Sequence, residues 1–281
     1  MKKRKLLLAA LLTAFLSASL PVLAACDTDT YTANTSQEST ELLPDSSSTE
    51  TSESEEVSST LPEVEPEIPI STPMQYIRCT GNNVNLRSGA GTDYSVLGSA
   101  EKDTVYAVLG KMGNWYKTYY RNKVAYLHTS YASVFTIEKT DDKTETVLEE
   151  AYKLIGVPYV YGAIRLHDGT GRLLTGFTAQ KFDCSSLVQY VFYKGANTLL
   201  NVTTRTQSTQ GVAVPKNKLE RGDCIYFTND ERKYNTGVER IGHVAIYLGD
   251  DYILHTASDF ARIEKMTAKR WSFYVQARRF I

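Results

Sequence analysis

The amino-acid sequence predicts a multi-domain chain: a small all-β barrel over residues 75–137, then an α+β domain over 138–281. Three observations predict it. Short hydrophobic runs broken by Gly, Asn and Asp clusters recur between 76 and 128, the pattern of a small barrel. Two stretches with helical spacing follow, and strand-like runs come only after them, which is the order of an α+β domain. Composition also changes near residue 74. Residues 27–74 are rich in Ser, Thr, Glu and Pro and hold no Lys or Arg, although the whole chain has 31 of these against 32 Asp and Glu. Such a segment cannot bury enough apolar surface to offset its ordering entropy, so 26–74 is expected to be a disordered acidic tether carrying a mildly basic folded part. That excess is either a plain solvated surface or a weak, salt-screened attraction to anionic wall or membrane polymers; no nucleic-acid partner is expected.

Residues 1–25 open on Lys2-Lys3-Arg4-Lys5, run through a short apolar stretch, and end in small residues. This is the pattern of a secretory signal peptide, and the stretch is too short for a spanning helix. The ending Leu23-Ala24-Ala25-Cys26 resembles a bacterial lipoprotein box. That resemblance implies cleavage before Cys26, acylation there, and an extracytoplasmic protein anchored to the membrane and facing the wall. The other cysteines divide by setting. Cys79 and Cys224 lie in apolar strand-like runs and are expected to be buried free thiols.

In the first folded unit, Val84-Asn85-Leu86-Arg87 alternates into the turn cluster Ser88-Gly89-Ala90-Gly91. Val105–Leu109, Trp115–Tyr120 and Val124–His128 supply further strands. Together with Asn114-Trp115-Tyr116-Lys117 and Ala125-Tyr126-Leu127-His128, these stretches resemble a bacterial SH3-like domain. Trp115 is expected to fill its core, and His128 to end a strand. The resemblance implies a module that binds wall peptides or shapes a neighbouring cleft.

Residues 138–143 read as a charged connection. Thr146 with Glu149 suggests a capping box for the helix that follows, with Val147, Ala151, Leu154 and Ile155 on its buried face. Residues 164–181 form a loop. Phe182-Asp183-Cys184-Ser185-Ser186 then opens a second helix, expected to stop at Gly195. A cysteine in a first turn meets unpaired N–H groups and the positive end of the helix dipole, so its thiol pKa is expected to fall. His243 and His255 lie on the two arms of a predicted hairpin turning near Asp250-Asp251, and residues 271–280 read as a last strand. A histidine near neutrality can take a thiol proton and a second can orient it. From spacing alone the two histidines are equally consistent with a structural role. No closely spaced ligand set accompanies them, so no metal is expected.

The ordered set Pro158-Tyr159-Val160-Tyr161-Gly162, Asp183-Cys184-Ser185-Ser186, Arg221-Gly222-Asp223 and Gly242-His243-Val244-Ala245, followed by His255, resembles the NlpC family of cell-wall cysteine peptidases. The resemblance implies a circularly permuted papain-like domain that needs no organic cofactor. It implies Cys184 as nucleophile, His243 as general base and acid, His255 as orienting residue and Tyr159 beside the oxyanion site. Asp183, Ser185, Tyr161, Arg205 and Thr206 would line the substrate groove, with Gln210 on a loop beside it. The implied reaction is cleavage between γ-D-glutamate and the following diaminopimelate or L-lysine of peptidoglycan stem peptides, by a monomer. A related amidase activity and a non-catalytic wall-binding adaptor are the alternatives. Ser186 and Ala163 stand where the family usually has Gly, and Tyr161 where it has Trp. Thr206 replaces an Asp of members that prefer a free N-terminal L-alanine.

Overall fold

β-Structure dominates, and most of it belongs to one continuous sheet. The computed structural model describes residues 72–281. The expected signal peptide, Cys26 and nearly all of the acidic tether lie outside the described residues. The first strands are β1 (Met74–Cys79), β2 (Val84–Arg87), β3 (Val96–Ala100) and β4 (Val105–Ala107). β5 (Gly110–Met112), β6 (Trp115–Tyr120), β7 (Lys123–His128) and β8 (Ala132–Ile137) follow. Then come α1 (Asp142–Lys153), α2 (Cys184–Ala196), the short α3 (Thr204–Gln207) and β9 (Val212–Val214). The chain closes with β10 (Cys224–Phe227), β11 (His243–Gly249), β12 (Tyr252–Ala257), β13 (Phe260–Lys265), α4 (Ala268–Ser272) and β14 (Tyr274–Arg279).

Five strands form a sheet ordered β3-β2-β7-β6-β5, while nine run β8-β1-β4-β13-β12-β11-β10-β14-β9. The two predicted units are therefore not separate layers. β1, β4 and β8, from the first unit, extend the sheet of the second through the antiparallel pairing of β4 with β13 at Val105 and Ile263. The boundary expected at 137/138 is a boundary in the chain and not in the sheet. Hydrogen bonds also cross it, from Arg121 N to Ile155 O at 2.8 Å and from Asn122 N to Lys153 O at 2.7 Å.

Along β11, Val244, Ile246 and Leu248 join the core beneath the helices, while Ala245 joins a second cluster with Ile225, Phe227 and Ile253. This is the two-residue period of a strand buried on both faces. The turn after β11 places Asp250 at φ 49° and Asp251 at φ 64°, the left-handed pair that Asp tolerates in tight hairpins.

Several local expectations are corrected. α1 is capped by Asp141, whose side chain accepts from Thr144 N at 3.0 Å; Thr146 instead donates to Asp142 O inside the helix. α2 runs through Gly195 to Ala196 and ends on Asn197 in the left-handed region. Gly195 serves packing: a Cβ there would meet Val147 Cα of α1 at 2.5 Å, so its bare backbone lets the two helices touch. Residues 271 and 272 belong to α4, and the last strand starts at Tyr274. Trp115 is only half-buried and walls a groove with His128 and Tyr131. Cys79 and Cys224 are free and buried, as expected.

One buried cation braces the architecture. The Arg221 guanidinium donates twice to Glu145 of α1, at 2.6 and 3.0 Å. It also donates to Tyr76 Oη of β1 at 2.9 Å, Tyr152 Oη at 2.8 Å and Leu248 O at 2.7 Å. Every fork of the side chain finds an acceptor, which is the condition for burying a charge. Gly222 follows at φ +95°, where a Cβ would lie 2.5 Å from Thr144 Cγ2. The Arg-Gly-Asp run thus gathers α1, β1 and β11 onto one point.

Candidate active site

Cys184 is the first residue of α2. Asp183 caps the helix, accepting from Ser186 N at 2.8 Å while Ser186 Oγ accepts from Asp183 N at 2.9 Å. This reciprocal box holds the first turn open at its N-terminus. The segment 158–160 is laced beside it, with Phe182 N donating to Pro158 O at 3.1 Å and Val160 N to Phe182 O at 2.9 Å. Gln207 of α3 clamps the same turn from the other side, donating to Ser185 O at 2.9 Å and Asn201 O at 2.9 Å.

The sulfur is approached by backbone N–H groups of Val244, Ser185 and Cys184 itself. Val244 follows His243, so the start of β11 comes to the head of α2. His243 Nε2 lies 2.9 Å from His255 Nδ1, and the rings meet edge to face. The sheet register explains this. Ile246 faces Leu254, which leaves His243 and His255 two positions apart diagonally on one face.

Electrostatics depart from the sequence expectation. Burial and the charge of Asp183 push the Cys184 thiol up to about 12, against the N–H donors that pull it down. Cys184 is half-buried at the floor of its cleft, and lost hydration together with the Asp183 charge outweighs what the helix end returns. Burial, with His255 and Arg270 nearby, holds His243 well below the usual imidazole value. Both shifts favour the uncharged form of each group taken singly.

A cleft of about 420 Å³ opens over Cys184. Of the residues predicted from sequence, Tyr159, Tyr161, Asp183, Cys184, Ser185 and Arg205 line it, and Gly242 brings the wall to His243. Burial and the neighbouring Cys184 raise the Tyr159 phenol, keeping it protonated as a donor at the cleft. Tyr161 is 88 % exposed and stands at the rim. Thr206 does not line the cleft: it is exposed, and its hydroxyl closes a capping box with Thr203. Gln210 is also turned away, accepting from Asn201 N at 2.7 Å.

Sequence reasoning missed Arg165. From the loop 164–181 it donates to Asp183 Oδ2 at 3.1 Å and Ser185 Oγ at 3.0 Å, bracketing the nucleophile. Asp183 also accepts from Ser185 Oγ at 3.0 Å and is 5 % exposed, so its carboxylate is fully engaged. Asn229 and Arg232 were missed as lining residues too. The unusual length of the 164–181 loop was the only signal for Arg165. Among the described residues no group of three or more His, Cys, Asp or Glu is placed to hold a metal ion.

A cysteine heading a helix, with the start of the strand that carries His243 brought to it beneath a polar cleft, is the arrangement a thiol hydrolase needs. Residues 156–279 match the model of the NlpC/P60 family and residues 82–133 that of the bacterial SH3 domain; the chain carries a domain of each. It is 36% identical over 121 residues to the gamma-DL-glutamyl hydrolase of Bacillus subtilis (strain 168), covering 43% of this chain and 24% of that protein. It is 26% identical over 214 residues to the gamma-D-glutamyl-L-lysine dipeptidyl-peptidase of Bacillus cereus (strain ATCC 10987), covering 75% of this chain and 56% of that one. The chain therefore spans between a quarter and just over half of these relatives' length. Among solved structures it resembles an NlpC/P60 family protein from Bacillus cereus ATCC 10987, with 22% identity, a TM-score of 0.39, and 75% of this chain and 64% of that one covered.

Proposed function

We propose that the chain is a peptidoglycan DL-endopeptidase that cuts the bond between γ-D-glutamate and the following diamino acid of stem peptides. The observation that carries this is the meeting of Cys184, at the head of α2, with the start of β11 and its His243–His255 pair. The names of its relatives, which include peptidoglycan endopeptidases, support the substrate class. In this reading His243 takes the Cys184 proton as the sulfur attacks the carbonyl, so charge appears only when substrate is in place. The C–N bond breaks as His243 returns the proton to the leaving amine, and a thioester remains. Water, deprotonated by the same ring, releases the γ-D-glutamyl carboxylate and the thiol. Tyr159 donates toward the developing oxyanion. A circularly permuted papain-like arrangement, acylation at Cys26, attachment to the membrane facing the wall, and a monomeric state belong to the same proposal.

Arg165 adds a point of specificity. The stem's first residue has either a free amine or an amide to the glycan. Asp183 is already paired to Arg165, which leaves Glu231, on the wall of the same cleft, as the carboxylate placed to meet a free ammonium group at that residue. Digestion of purified peptidoglycan by wild type and Cys184→Ala, with product masses read out, tests the proposal. Fragments ending in γ-D-glutamate, absent with the variant, support it. Release of whole stems from muramate would mark an amidase, and no release under reducing conditions a wall-binding adaptor; either overturns it.

A further inference from the structure

Behind the histidine pair stands a carboxylate that the mechanism above does not use. β12 and β13 pair with His255 opposite Arg262 and Ile253 opposite Glu264, which puts Glu264 diagonal to His255 on the same face. His243, His255 and Glu264 thus form a slanting row across β11, β12 and β13. His255 Nε2 lies 3.2 Å from Glu264 Oε1, and Arg270 of α4 holds that same oxygen at 2.6 Å. The N–H is not aimed squarely at the oxygen, so the carboxylate acts as an adjacent charge more than as a straight hydrogen-bond acceptor.

We propose that Glu264 is a positioning residue that sets the tautomers of both histidines, leaving His243 Nδ1 free as the base. The inference rests on the reading of Cys184 and His243 as the reacting pair. Its logic is a count of protons. A neutral imidazole has one donor and one acceptor nitrogen. Across the 2.9 Å contact, either His243 Nε2 donates to His255 Nδ1 or the reverse. In the first case His255 carries its proton on Nε2, toward the Glu264 carboxylate, and His243 keeps a lone pair on Nδ1. In the second, the lone pair of His255 Nε2 would face the carboxylate in a site where His255 is 2 % exposed, and His243 Nδ1 would carry a proton and could accept none. An ionised carboxylate accepts only, so it selects the first arrangement.

Other charges at the site fit this assignment. Glu264 is held well below the usual carboxylate range by His255 and Arg270, so it stays ionised through neutrality. The cations facing His255 are Arg262 and Arg270, and both disfavour a second proton on the rings. Glu264 is the anion that offsets them when His243 becomes imidazolium. It does not line the cleft over Cys184; it sits in a separate depression with Lys265, Thr267, Lys269, Arg270 and Phe273. It therefore acts through His255 and touches no substrate.

The test uses the full chain carrying Glu264→Gln, Glu264→Ala or Glu264→Asp. Loss of the tautomer-holding carboxylate costs roughly 10⁴-fold in a serine triad. Here it stands one ring further back and reaches solvent, so kcat should fall about ten- to a hundredfold for Glu264→Ala, with KM unchanged. Glu264→Gln should be at least as severe, because its amide can donate to His255 Nε2 and hold the wrong tautomer. Glu264→Asp should recover most of the rate. A purely structural role predicts the opposite order, with the isosteric Gln the mildest. Removing the anion should also move the acid limb of kcat/KM to lower pH. Nitrogen-15 NMR of the resting protein should find Nε2–H on both histidines in wild type and a changed tautomer in Glu264→Gln. Wild-type kinetics in Glu264→Gln, or Nδ1–H on His243 in wild type, overturns the proposal. If wild type cuts no wall at all, the endopeptidase reading falls, while the NMR measurement still decides this one.

Discussion

Asp183→Asn separates the two jobs that Asp183 performs beside the nucleophile. Its carboxylate caps α2, and its charge raises the Cys184 thiol. Asn caps about as well as Asp, but Arg165 loses its charged partner, so the fold should lose about 1–3 kcal/mol. The charge effect on the thiol is read separately. A charge beside an ionisable group shifts its pKa by about 1–3 units, or about 1.4–4 kcal/mol. Arg165, left without its carboxylate, adds a pull in the same direction. With the offsetting effect of the present ion pair allowed for, the thiol should titrate about 1–2 units lower than in wild type, since 1.36 kcal/mol is one unit. The assay is the pH dependence of Cys184 alkylation by iodoacetamide in the full chain, with Cys79 and Cys224 buried as internal controls. Urea midpoints establish that the variant is folded. An alkylation midpoint that stays put, or moves upward, in a folded Asp183→Asn protein refutes the electrostatic account of this site.

Three further outcomes are expected. Arg221→Met leaves Glu145 without its buried partner and takes one donor from each of Tyr76 and Tyr152, which keep only their bond to each other, so it should cost about 3–5 kcal/mol, read as a fall in urea midpoint at unchanged slope. Gly195→Ala should destabilise by about 1–3 kcal/mol although Ala is the better helix former, because the added methyl meets the α1 backbone; a gain in thermal midpoint would contradict the packing account. Glu264 titrates at about 2 in the fold against its usual 4.5. A depressed carboxylate contributes stability above its unfolded value and loses it as pH falls through the folded one. Denaturation curves should therefore show a loss between about pH 4.5 and 2 that is reduced in Glu264→Gln.

Much of the site was legible in the sequence because its signals are local. Asp183-Cys184 before an apolar run marks a helix start, and the Asp250-Asp251 turn marks the hairpin that carries His243 and His255. What escaped depends on contacts between distant segments. β13 went unread because Phe260-Ala261-Arg262-Ile263-Glu264-Lys265 alternates with charged residues, which mask a strand buried on one face only, and Glu264 went with it. Arg165 sits in a loop whose path nothing nearby in sequence dictates. First-turn logic for the thiol counts the helix end and leaves out the desolvation and the Asp183 charge that push the other way. At α1, Thr146 and Glu149 satisfy a capping pattern, but Asp141 starts the helix five residues earlier and wins the cap.

The shared sheet and Arg221 limit how the halves of this chain can be recombined. A fragment cut at residue 138 would leave the β13 edge unpaired, open to association with other chains. It would also strip Tyr76 from a guanidinium that cannot shed its proton. Any replacement front module would need a strand for that edge and a hydroxyl at that spot, so shuffling by simple cut-and-paste at the chain boundary is structurally barred.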